Sequence, residues 1–152
     1  MADATIDALR EVLDESLGEL RKGVAGRSAD QLNARPAGGD TNSIAVIVTH
    51  ALGSTRSWLS LALGAPMPDR DRPAEFRAVA DDGFTAWTDE RIAECLTLLD
   101  DATWDPGRVG TTAWTEPPET RTAAYAASHA LSHLGEHVGH LHMTVELLRD
   151  GA

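Results

Sequence analysis

The residues most able to do chemistry are histidines, and five of the six lie in one short stretch near the C-terminus. They are His129, His133, His137, His140 and His142. At about 100° per residue on a helix, the first four share one face and His142 lies off it. Helical residues four apart have Cβ atoms about 5–6 Å from each other. Two imidazoles at this spacing, as in the pairs His129–His133 and His133–His137, can therefore converge on one divalent metal ion.

Two ligands from one helix hold a metal weakly, so a third is expected from another element. The remaining histidine is His50, which lies among apolar residues in a second helical segment. Three protein ligands leave a position open to water or substrate, as in catalytic zinc sites. Nitrogen ligation suits zinc, nickel, copper or iron, and we predict zinc, with nickel as the alternative. The single cysteine, Cys95, excludes an internal disulfide and thiolate-rich zinc sites.

Other residues near these histidines are candidates for a pocket, although no catalytic residue can be assigned. One ion cannot take all four imidazoles, so His129 and His140 are expected to line the pocket, orient a ligand or move a proton. Glu136 has the same possible roles, or is a solvated acid. Arg56 and Trp58 follow His50 by about one and a half to two turns, and Trp58 also fits a core position. For the histidines themselves, the alternatives are buried core residues or an exposed row that binds metal adventitiously.

The positions of the seven prolines divide the chain into four segments, each long enough for a helix. Apolar residues recur at steps of three and four in these segments, which predicts amphipathic helices. The pattern indicates an all-α four-helix bundle in one domain, residues 1–152. The first predicted helix runs from about residue 6 to the glycines at 23 and 26, and the second from the N-capping residue types at 41–43 to Gly64. The third runs from about 82 to 101, and the fourth begins near 120 and ends just before Gly151. The connections 64–80 and 102–118 are long, rich in Pro, Gly and charge, and of a kind that often covers a site.

The composition excludes several classes of partner. A formal net charge of −11 opposes binding to nucleic acid or anionic lipid, because both depend on Lys and Arg neutralising phosphate. No stretch approaches the roughly 18 apolar residues of a membrane span. The acidic N-terminal residues lack the features of a leader peptide. We therefore expect a cytoplasmic protein whose partner is a small molecule.

Two segments resemble the DinB/YfiT-like superfamily of bacterial metal-binding four-helix bundles. They are the run Ser-Ile-Ala-Val-Ile-Val-Thr-His-Ala-Leu at 43–52 and the run His-Leu-Gly-Glu-His-Val-Gly-His at 133–140. The resemblance extends over most of the chain. In this family a histidine on the second helix and an HxxxH or ExxxH on the last helix hold the metal, which implies His50, His133 and His137 as ligands. After the last ligand this chain has Val-Gly-His where the family often has Arg-Gly-Gln, so it resembles an HxGH subgroup.

The resemblance also implies a class of activity. Members with assigned reactions are similar to enzymes that use a low-molecular-weight thiol, either mycothiol or bacillithiol. These enzymes are transferases or, in one relative, a maleylpyruvate isomerase. A homodimer is likewise implied. Our first hypothesis is a metal-dependent thiol S-transferase, or a related hydrolase or isomerase, acting on a small electrophile. The alternative is a non-enzymatic helical metal-binding or stress-response protein. A third interpretation, a hemerythrin-like or ferritin-like di-iron bundle, would need carboxylates such as Glu94 and Glu146, and neither belongs to an ExxH pair.

Overall fold

The computed structural model describes residues 3–150, except for the side chain of Asp150. Within this range, six α-helices and one small hairpin follow each other. In chain order they are α1 (Ala4–Val24), α2 (Ala29–Asn33), α3 (Ile44–Leu63), α4 (Arg72–Glu75), α5 (Phe84–Thr97), β1 (Val109–Thr111), β2 (Thr120–Thr122) and α6 (Ala123–Asp150), with a 3-10 turn at Gly38–Asp40 before α3. The all-α, bundle-like fold predicted from the sequence is confirmed.

The four long helices form the bundle. Helix α3 packs most extensively on α6 and also on α5, while α1 packs on α6 and α5, so the helices follow the cyclic order α1–α6–α3–α5. The core between them is built from aliphatic side chains at helical spacing, including Leu13 and Leu17 of α1 and Leu134 and Leu141 of α6, all fully buried. Among the described residues, no helix is both long enough and apolar enough to cross a membrane.

Helix α3 has the bounds that its sequence predicts. The Ser43 hydroxyl accepts a hydrogen bond from the Val46 backbone N–H, which satisfies one of the free donors at the helix start. Gly64 ends the helix with φ of 67°, a left-handed conformation in which glycine has no steric penalty. Sixteen of its twenty residues are buried, in agreement with its broad apolar face. Helix α3 is therefore the central element against which the others pack.

The structure corrects the predicted helix ends. Helix α5 covers 84–97 and not 82–101, because Asp81 precedes the helix and caps a turn by accepting the Gly83 backbone N–H at 2.8 Å. At its other end, Asp101 adopts a left-handed φ of 54° after a short turn. Helix α6 begins at Ala123, three residues later than predicted, because Thr120–Thr122 forms a strand.

The two long connections carry structure of their own, which the sequence analysis did not predict. The first contains α4, where the Asp71 carboxylate accepts the Ala74 backbone N–H. The second contains β1, which forms an antiparallel hairpin with β2 just beyond the connection, and Gly110 pairs with Arg121. Threonines at 111, 120 and 122 suit a strand because β-branched side chains pack well on a pleated surface. Both connections reach the histidine-bearing faces of α3 and α6.

Candidate metal centre

His133 and His137 lie one turn apart on α6, on the side that faces α3. Their Nε2 atoms are 3.3 Å from each other. Two nitrogens bound tetrahedrally to one zinc ion at about 2.0–2.1 Å are separated by about 3.3 Å, so this spacing suits a shared ion. Leu134 and Leu141 anchor the same helix in the core. The pair is therefore held at the boundary between core and surface, where a bound ion would be accessible to a small molecule.

His50 joins this pair from α3. Its ring centroid lies 5.3 Å from that of His133 and 4.8 Å from that of His137. One ligand atom from each of the three imidazoles falls within 4.8 Å of the other two. His50 is 5% exposed and packs against the ring of Phe76 at 4.6 Å. The close packing of α3 on α6 thus brings together residues that are more than eighty positions apart in the chain.

The surroundings of His133 and His137 favour the neutral form of both imidazoles. Burial, and then the neighbouring His133 and His50, lower the pKa of His137 to about 4. Burial and the neighbouring His50 also lower the pKa of His133, against the opposing effect of Glu136. Both side chains are therefore uncharged at neutral pH, which is the form that binds a metal. The three histidines are positioned to bind a metal ion, and the donor set fits one.

A buried carboxylate that was not predicted from the sequence lies directly behind His50. Glu75 Oε2 is 2.8 Å from His50 Nδ1, and the carboxylate accepts two hydrogen bonds from Arg70, at 2.6 Å and 2.9 Å. Burial alone would raise the pKa of Glu75, but the hydrogen bonds from His50 and Arg70 outweigh it and lower the pKa. Glu75 is therefore an ionised acid in the interior, held by a cation on one side and an imidazole on the other.

A cavity of about 540 Å³ opens beside the histidine group. Its lining includes His50 and His133, together with the aromatic rings of Trp58, Trp114 and His129. The ring of Trp58 lies 4.3 Å from that of His129 and 5.0 Å from that of Trp114. The remaining lining residues are polar or charged, namely Ser54, Arg70, Arg72, Thr115, Glu116 and Glu119. A ligand in this cavity would meet an aromatic surface and a polar rim.

Two of the predicted pocket residues, Trp58 and His129, line this cavity, and three lie elsewhere. His140 stacks on His137 with ring centroids 6.4 Å apart, but it is exposed, as is Glu136. Arg56 pairs with Glu94 at 3.0 Å and lines a separate depression on the α3–α5 side. Trp114 was not predicted, because it belongs to a connection without periodicity.

The carboxylates of the di-iron interpretation do not gather into a site. Glu94 pairs with Arg56 and Arg91, and Glu146 is exposed. Within residues 3–150, the three histidines are the one group of three or more potential ligands close enough to share an ion. His142, predicted to lie off the histidine face, pairs with Glu19 of α1 at 3.0 Å.

Comparison with known proteins agrees with this architecture. Residues 5–141 match the DinB superfamily, and the chain belongs to that superfamily. The crystal structure of the conserved protein of locus from Enterococcus faecalis is similar in fold, with a TM-score of 0.70, 18% sequence identity, and coverage of 98% of this chain and 99% of that chain. No curated protein matches the chain significantly. The resemblance drawn from the two sequence runs is thus confirmed at the level of the superfamily.

Proposed function

We propose that this protein is a metal-dependent enzyme that joins a small thiol to an electrophile. The observation that carries the proposal is that the histidine group borders a cavity large enough for a small molecule, with His50 and His133 in its wall. A divalent ion held by His50, His133 and His137 would keep a coordination position for a thiol and lower the pKa of that thiol. We expect zinc, with nickel as the alternative.

The cavity residues have separate parts in such a reaction. The rings of Trp58 and Trp114 would hold the apolar part of the electrophile, because aromatic side chains offer a large rigid contact surface. His129 is the cavity histidine outside the proposed ligand set, so it would accept the proton of the thiol. The sulfur then forms a bond to the electrophilic carbon, whose leaving group departs with the bonding electrons. The thiol must come from outside, because the thiol of Cys95 is fully buried.

Turnover with a panel of small thiols and electrophiles tests the proposal. Wild-type protein loaded with zinc should consume thiol and electrophile in equal amounts. His137→Ala should lose this activity while its helical circular dichroism is retained. His142→Ala is the matched control, since His142 lies on the same helix and pairs with Glu19 instead of facing the group. Equal turnover by wild type and His137→Ala would refute the proposal.

A structural ion is the second candidate, because the histidine group joins α3 to α6, the most extensively packed helix pair. An ion there would cross-link the core of the bundle. In that case metal removal would unfold the chain, and no thiol would compete for the ion. If the bundle stays folded without metal and a thiol perturbs the spectrum of bound cobalt, the enzyme is favoured.

A further inference from the structure

We infer that Glu75 is a positioning residue for the metal ligand His50, and that residue 53 is a glycine because any side chain there would displace Glu75. The inference rests on the metal site proposed above. It concerns the hydrogen bond of 2.8 Å between His50 Nδ1 and Glu75 Oε2. A neutral imidazole carries its proton on one nitrogen only. When Nδ1–H donates to the carboxylate, Nε2 keeps the free lone pair and its direction is fixed.

The carboxylate is itself held rigidly. Arg70 donates from Nε to Oε1 and from a terminal nitrogen to Oε2, a bidentate arrangement that restricts rotation of the carboxylate. His50 is 5% exposed, Glu75 7%, and the side chain of Arg70 6%. A buried carboxylate is costly unless it is paired, and Arg70 provides the pairing. The result is a chain of three buried groups that ends at the ligand.

Gly53 gives independent evidence that this contact is built into the fold. Glycine is the least favourable residue in a helix interior apart from proline, yet Gly53 lies in the middle of α3, three positions after His50. A Cβ at this position would overlap Glu75 Oε1 and come within 3.1 Å of Glu75 Cδ. The Glu75 carboxylate therefore occupies the space that a side chain at position 53 would need.

The other two histidines have no such partner. Within the described part of the chain, the Nδ1 atoms of His133 and His137 are buried without a hydrogen-bond partner. The carboxylate therefore acts on one ligand of the three. Mutation of a residue that hydrogen-bonds a metal-binding histidine typically weakens metal affinity about 10–100-fold.

The experiment measures the zinc affinity of the full-length metal-free protein by competition with a chelator. Glu75→Gln keeps the size of the side chain and removes its charge, and we expect about a 10–100-fold weaker zinc complex. Glu94→Gln is the control, because Glu94 is also an arginine-paired carboxylate but lies on α5 away from the histidines. We expect its zinc affinity to equal that of wild type.

A second measurement does not depend on the folding of any variant. Long-range proton–nitrogen NMR spectra of the metal-free wild type report which nitrogen of His50 carries the proton. We expect the proton on Nδ1. A proton on Nε2, or equal zinc affinities for Glu75→Gln and wild type, would overturn the inference while leaving the metal site in place. Failure of the metal site is a different result: His50→Ala would then bind zinc as tightly as wild type.

Discussion

Gly53→Ala should weaken metal binding without unfolding the protein, although the new methyl group never touches the metal. The added Cβ would overlap Oε1 of Glu75. Ordinary contacts of about 3.5 Å require the carboxylate to retreat by roughly 1 Å. Its oxygen Oε2 now lies 2.8 Å from His50 Nδ1, so a retreat of that size away from α3 and His50 takes the pair beyond hydrogen-bond range, about 3.5 Å. The orienting contact of one ligand is then lost.

The expected loss in zinc affinity is about 10–100-fold, which corresponds to about 1.4–2.8 kcal/mol. The fold should tolerate the change, because the displaced atoms belong to the end of the Glu75 side chain and not to the backbone. Alanine also improves helix propensity by about 1 kcal/mol over glycine. The free energy of unfolding of the metal-free protein should therefore change little, as this gain offsets the weakened Glu75 contacts. The two quantities are measured by zinc titration against a chelator and by urea unfolding.

Gly135→Ala is the matched control, since Gly135 lies on α6 between His133 and His137 and its added Cβ would meet nothing within 4 Å. It should stabilise the helix by up to about 1 kcal/mol and leave the zinc affinity unchanged. If Gly53→Ala binds zinc as tightly as wild type and Gly135→Ala, the reasoning about residue 53 is wrong.

Three further predictions concern pH, metal and the buried thiol. Between pH 7.5 and 5.5, protonation of an ordinary imidazole ligand weakens metal affinity about tenfold. Protonation of His137, whose pKa is about 4, should weaken the affinity hardly at all, and protonation of His133 should weaken it less than tenfold. Calorimetric zinc titrations should therefore show a smaller loss of affinity than the ~1000-fold expected for three ordinary imidazoles. Zinc at about 100 times its Kd should stabilise the protein by about 2.7 kcal/mol and raise Tm by roughly 5–11 °C. Scanning calorimetry should show this rise in Tm for wild type and none for His137→Ala. Burial raises the pKa of Cys95 to about 12, so its reaction with a chromogenic disulfide at pH 8 should be at least about 1000-fold slower in the native protein than in urea; fast native labelling would contradict the placement of Cys95 in the core.

The histidine face could be predicted from the sequence because helical periodicity fixes which residues share a side. The positions of His133 and His137 follow from a spacing of four, and the bounds of α3 follow from Ser43 and Gly64. The approach of His50 depends on how α3 packs on α6, which no local pattern encodes. There the inference relied on elimination and on the family resemblance, and the structure brings the three histidines together.

The rest of the site comes from segments without periodicity. Glu75 and Arg70 lie in the first long connection and Trp114 in the second, where proline and charge obscure any pattern. One signal was available for Glu75, since a glycine in the middle of a strongly apolar helix indicates a close approach. The strands of the hairpin are three residues long, too short for a period of two to be recognised.

The central claim is that His50, His133 and His137 together hold one divalent ion. It is tested most directly by elemental analysis of protein purified without a histidine tag, for wild type, His50→Ala and the control His142→Ala. We predict one ion per chain in wild type and in His142→Ala, and a large loss in His50→Ala. Undiminished metal in His50→Ala, or two irons per chain in wild type, would contradict the three-histidine site.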